Sequence, residues 1–171
     1  MKKLYTSLFF LGSLIFLSVI GGSKANASVN QTIPNDYYYV SPISNPSLVV
    51  SRNMTLTNNL SPNGRFEFFY NQSKNAYLIN EIPPNATLRW TGGLGLGNLQ
   101  FDSSEGFMDD SYYWIIERVG NAYLLRNKKD PTMVWDVHNY QTTVGGRIKL
   151  EKEHSPSSPQ REAQLFLLRL R

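Results

Sequence analysis

Apolar and polar positions along this chain alternate in short bursts and never settle into a helical period. Tyr37-Tyr38-Tyr39-Val40, Leu48-Val49-Val50 and Phe66-Glu67-Phe68-Phe69-Tyr70 are rich in the aromatic and β-branched residues that suit a pleated surface. Asn45-Pro46 and Ser61-Pro62-Asn63-Gly64 lie between them and favour turns. The pattern continues through Ala76–Ile79, Leu88–Trp90, Leu99–Phe101, Tyr112–Ile116, Tyr123–Arg126, Met133–Val137, Arg147–Glu151 and Gln164–Leu170. Strands recur every 8 to 14 residues, so the chain is predicted to be all-β.

A phrase within this pattern occurs twice. Asn75-Ala76-Tyr77-Leu78-Ile79 returns as Asn121-Ala122-Tyr123-Leu124-Leu125, 46 residues later. Each copy follows an aromatic strand, Phe66 to Tyr70 and then Trp114 to Glu117, and each precedes a tryptophan, Trp90 and Trp135. A third aromatic strand, Phe166-Leu167-Leu168, closes the chain. Self-similarity at a fixed period marks a copied supersecondary unit. Three such units of short strands predict a β-trefoil with three pseudo-repeats, a small barrel under a hairpin cap. Phe66, Trp114 and Phe166 occupy equivalent points and are expected to meet in its core, where packed rings need no ligand.

The first 27 residues read as a secretory leader. Lys2 and Lys3 precede an apolar stretch from Leu4 to Ile20, and Ala25-Asn26-Ala27 offers the small residues a signal peptidase reads. Residues 28–36 are polar and are expected to be a flexible lead-in, leaving 37–171 as the trefoil domain. Three of the 17 basic side chains (Lys2, Lys3 and Lys24) and none of the 13 acidic ones fall in the leader, so cleavage lowers the net charge from +4 to +1. That removes the main support for a nucleic-acid or anionic-lipid partner, and no membrane span is expected after cleavage. The chain has no cysteine, which excludes disulfides and thiolate metal sites. Together these features suggest export from a Gram-positive bacterium.

Val134-Trp135-Asp136-Val137, then Gly145-Gly146-Arg147-Ile148-Lys149-Leu150, then Gln164-Leu165-Phe166 resembles one unit of the ricin-B-type lectin family. The segments Phe66 to Leu78 and Tyr113 to Leu125 are similar to trefoil subunits of the clostridial neurotoxin-associated hemagglutinin complex, above all its smallest, single-trefoil subunit, and to trefoil domains of some Bacillus toxins. The resemblance implies a secreted, non-enzymatic carbohydrate-binding module, with a galactose-like glycan as partner. In the family's pocket an Asp accepts hydrogen bonds from adjacent sugar hydroxyls, an aromatic ring stacks on the apolar sugar face, and Gln and Asn side chains complete the set.

Only the third unit carries that acid, Asp136, together with Gln164. Lys149 stands where the family has a Gln, Glu151 where it has the stacking ring, and Ala163 where it has the Asn. His138 and Tyr140, on the loop just after Asp136, are candidates for a substitute platform; the plainer alternative makes Asp136 a turn cap and Tyr140 an exposed loop aromatic. In the second unit Thr91 replaces the Asp, and the following Gly92, Gly93, Gly95 and Gly97 read as a turn, with Gln100 and Phe101 near a partial site. The first unit offers Ser51, Arg52 and Asn53 without an acid, and no sugar is expected there.

His154 lies in a charged loop that reads as solvated, and no cluster completes a metal site around it. With two histidines and no cysteine, nucleophile–base pairs are scarce; no enzyme activity and no cofactor are expected. The degenerate sugar positions also admit a second reading, a structural adaptor joined to a larger secreted toxin-complex protein. Its candidate contacts are Phe107-Met108, Tyr140 and Tyr37-Tyr38-Tyr39.

Overall fold

The computed structural model describes residues 31–60, 64–82, 86–103 and 106–170. The leader expected over 1–27 lies outside the described residues. Among those described, the strands are β1 (Asp36–Pro42), β2 (Val49–Val50), β3 (Leu56–Thr57), β4 (Arg65–Asn71), β5 (Ala76–Glu81) and β6 (Thr87–Trp90). They continue as β7 (Leu99–Asp102), β8 (Trp114–Val119), β9 (Ala122–Asn127), β10 (Met133–Val137), β11 (Ile148–Lys152) and β12 (Phe166–Leu170).

Antiparallel pairing runs from β1 to β4, β5, β8, β9 and β12 in turn, and from β12 back to β1. Six strands therefore close into a barrel with no open edge, which removes the hazard of edge-to-edge pairing. The hairpins β2–β3, β6–β7 and β10–β11 stand outside that ring, one from each unit. Two barrel strands and one hairpin, three times over, make a β-trefoil.

The units share one cross-strand motif. Tyr38 faces Phe66, Tyr77 faces Trp114 and Tyr123 faces Phe166, each pair joining the first and last strand of its unit. Phe66, Trp114 and Phe166 are fully buried in one apolar cluster. Trp135, from the third hairpin, links two of them edge-on, with centroids 6.0 Å from Trp114 and 5.9 Å from Phe166. Phe66 instead stacks on Phe101 of β7 at 5.5 Å. Hairpin aromatics thus fill the space between the strand aromatics, so cap and barrel form a single core.

Local structure departs from the sequence reading at three places. The two-residue β3 has no apolar alternation to announce it; it exists because Leu56 donates to the Gly146 carbonyl and accepts from Gly145, at 2.6 and 2.8 Å. Tyr112 and Gln164 fall in short 3-10 turns, Asp110–Tyr112 and Pro159–Gln164, and not in strands. Asp109 and Ser158 cap those turns by accepting from Ser111 and Gln160 backbone N–H groups. The described part of the expected flexible lead-in is docked. Ile33 is buried, its N–H donates to the Tyr77 hydroxyl at 2.9 Å, and that hydroxyl donates to its carbonyl at 2.8 Å.

Candidate functional site

Asp136 sits near the end of β10, opposite Lys149 of β11. The chain then turns sharply, because Asn139 and Tyr140 both adopt left-handed backbone, at φ 53° and 58°. Such consecutive positive φ values are uncommon outside glycine. The loop is closed by Gly146, where an added Cβ would lie 2.0 Å from the Gln141 carbonyl oxygen. Only glycine permits that approach. Together the loop, β11 and the turn Pro159–Gln164 enclose a cleft of about 440 Å³. Asp136, Asn139, Tyr140, Lys149, His154 and Gln160 line it.

The polar groups of this cleft are strongly organised. Gln164 is fully buried; its amide nitrogen donates to Asp136 Oδ2 at 3.2 Å and to the Lys152 carbonyl at 2.9 Å, and its oxygen accepts from the His154 N–H at 2.8 Å. His154 Nε2 stands 3.7 Å from Asp136 Oδ2. Burial pushes the Asp136 carboxyl above the ordinary carboxylate range, against the opposing pull of the Gln164 bond and the nearby Lys149 and His154. Lys149 Nζ reaches Glu151 at 2.6 Å and holds that carboxyl below its usual range. Tyr140 donates its hydroxyl to Glu162; desolvation, and then this bond, push the phenol up to about 12.

Of the residues the sequence nominated, the structure brings Asp136 and Tyr140 to the cleft. His138 and Gln164 are not among the residues that line it. The His138 Nδ1 is buried without a hydrogen-bond partner. Gln164 is fully buried and holds Asp136 through its side-chain amide. Sequence reasoning also missed His154, read as solvated, and Gln160, which carries no motif signal. The ring position held by Glu151 is polar, so the rings lining this cleft are the Tyr140 phenol and the His154 imidazole. A carboxylate with one oxygen held, side-chain amides and a ring edge make a receptor for hydroxyl groups.

Among the described residues, no three His, Asp or Glu side chains gather as a metal site, and no helix is long and apolar enough to cross a membrane. Glu153, beside His154, is committed to Arg126 and Arg161, with contacts of 2.9 and 2.7 Å.

No known family's sequence model matches the chain, and no curated protein matches it. Solved structures do. A mosquitocidal holotoxin superposes with a TM-score of 0.67 at 23% identity, covering 80% of this chain. The match spans only 17% of that toxin's length. A ricin B-like lectin of Macrolepiota procera, solved in complex with lactose, gives a TM-score of 0.61 at 17% identity over 81% of this chain and 97% of the lectin. ThreeFoil, a designed threefold-symmetric protein, gives 0.64 at 16% identity over 77% of this chain and 96% of the design. Likeness at this level of identity is likeness of fold, and it agrees with the barrel and hairpins described above: the chain is a β-trefoil of the architecture shared by ricin B-like lectins and a toxin domain.

Proposed function

We propose that the protein is a secreted, non-enzymatic module that binds a neutral, galactose-like glycan in the Asp136 cleft. The observation that carries this reading is the Gln164–Asp136 bond, in which a fully buried amide fixes a buried carboxylate that lines a polar cleft. Such an acceptor takes two adjacent sugar hydroxyls, while the Tyr140 ring covers part of the apolar face. The lactose complex of the structurally similar fungal lectin supports the choice of sugar. With a single phenol ring as platform and few direct contacts, affinity for one site is about millimolar, and useful binding comes from multivalency. A multimerised form is expected to bind galactose-containing glycans on an array and to lose that signal in Asp136→Ala. Absence of signal on every glycan would overturn the reading.

One observation favours a second reading, an adaptor in a secreted toxin or hemagglutinin-type assembly. Phe107 is 91% exposed, and its neighbour Met108 packs on the small cluster of Ala76, Tyr112 and Tyr113. An exposed ring on a fixed base is the form of an interface anchor. Tyr38, nominated with it, is buried in the barrel and offers nothing to a partner. Under this reading Phe107→Ala weakens co-purification with a larger secreted partner without lowering the melting temperature; an unchanged yield of that partner would sink it.

A further inference from the structure

Arg52-Asn53 and Gln100-Phe101 come from different units, and neither stretch contains an acid. The fold brings them together. The β2–β3 turn, the end of β5 and β7 enclose a second cleft of about 430 Å³, lined by Arg52, Asn53, Met54, Glu81, Gln100 and Phe101. Its volume lies within the range of about 300–1,000 Å³ common for small-molecule sites. Glu81 supplies the missing carboxylate, from the last position of a barrel strand.

We infer that this junction of the first and second units is a second binding site, taking a neutral sugar. The Glu81 side chain is only 7% exposed, and Arg52 Nε lies 3.4 Å from its Oε2. Arg52 itself is 42% exposed, so the pair has a buried acceptor and a donor that reaches into the cleft. An anionic ligand would meet Glu81 and a cationic one Arg52; a neutral polyol satisfies both, accepting from the guanidinium and donating to the carboxylate. Two amides, Asn53 and Gln100, add further polar contacts, and the Gln100 amide is oriented by its bond to the Gly97 carbonyl at 3.1 Å. Phe101 is partly exposed with one face stacked on Phe66, which holds the ring still for an apolar sugar surface.

The turn that carries Arg52 and Asn53 is held under constraint. Met54 sits at φ 54°, a left-handed conformation rare for a long side chain. Its N–H donates to Ser51 and its carbonyl accepts from Ile148, at 2.9 and 2.8 Å. Residues kept in such conformations are over-determined by their surroundings and cluster at binding sites. This cleft lies between units, whereas the Asp136 cleft lies within one, so the two stand or fall separately.

Backbone and side-chain NMR with methyl β-galactoside, methyl α-glucoside and N-acetylglucosamine, each titrated to about 50 mM to cover weak binding, tests the site. At least one sugar is expected to shift the Gln100 side-chain amide and the Arg52 Nε–H resonances saturably, in the wild type and equally in Asp136→Ala. Gln100→Ala, at a solvent-facing position, should weaken that binding about tenfold, the loss of one good polar contact, at unchanged melting temperature. Arg52→Gln should weaken it as much while lowering the melting temperature, because Glu81 loses its partner. No saturable shift at either residue with any of the three sugars overturns the inference, as does binding that both variants leave intact. Shifts at Tyr140 and Gln160 report on the other cleft in the same spectra, so the failure of one site is read independently of the other.

Discussion

The side-chain amide of Gln164 ties Asp136 Oδ2, at 3.2 Å, to the Lys152 carbonyl, at 2.9 Å, from a position with no solvent exposure. One residue thus couples the β10 carboxylate to the end of β11 and, through the His154 N–H, to the chain beyond it. The Asp136 carboxylate is aimed by the same bonds that lock the third unit together.

Gln164→Ala is therefore expected to act on stability as well as binding. It leaves the Lys152 carbonyl, the His154 N–H and part of Asp136 without their buried partner. The cost is about 2–4 kcal/mol, read from denaturant unfolding, and glycan binding at Asp136 falls with it. A variant as stable as the wild type would show that water replaces the amide.

Gly146→Ala separates loop shape from the carboxylate. The added methyl would press on the Gln141 carbonyl oxygen, so the loop 138–145 must move. Binding at the Asp136 cleft is expected to drop below detection in the NMR titration, with shifts in the third hairpin and at Leu56, which bonds to Gly145 and Gly146. Retained binding would mean that Asn139 and Tyr140 do not form the working face of the site.

Acid should weaken the protein through Glu153. Its bonds to Arg126, and then to Arg161, hold its carboxyl at about 2, below the ordinary 4.5. A depressed carboxylate contributes stability that is complete above the unfolded value and is lost as pH falls through the folded one. The melting temperature is expected to decline between pH 4.5 and about 2, and Glu153→Gln should flatten that decline while lowering stability at neutral pH. Equal pH profiles for variant and wild type would remove Glu153 from the acid response.

Tyr77→Phe tests how the chain before β1 is held. Loss of the hydroxyl removes both bonds to Ile33, a cost of about 1–3 kcal/mol. Amide exchange at Ile33 is expected to accelerate well before that of the barrel strands. Unchanged protection there would place the docking energy in the Ile33 side chain alone.

The repeats were legible because the second and third barrel openings share Asn-Ala-Tyr-Leu; with the aromatic strands, that suffices to predict all-β and a trefoil. The first unit hid its copy. Tyr38 plays the part of Tyr77 and Tyr123, each facing an aromatic in the last strand of its unit, yet it sits in Tyr-Tyr-Tyr-Val with no Asn-Ala ahead of it. The strand that carries Asp136 was legible for a similar reason, since a short apolar-Asp-Val run is a local pattern.

Local order on the chain determined strand positions, because period and turn chemistry act over a few residues. Tertiary structure decided which side chains share a cleft. His138 lies two residues after the acid in sequence, yet it does not line the cleft that Asn139 and Tyr140 line, whereas the Gln164 bond draws in His154 from beyond β11. Glu81, Arg52 and Gln100 meet only because the barrel closes and sets one unit's hairpin turn against the next unit's strand. Closure is a property of all six strands at once, and no window of sequence contains it.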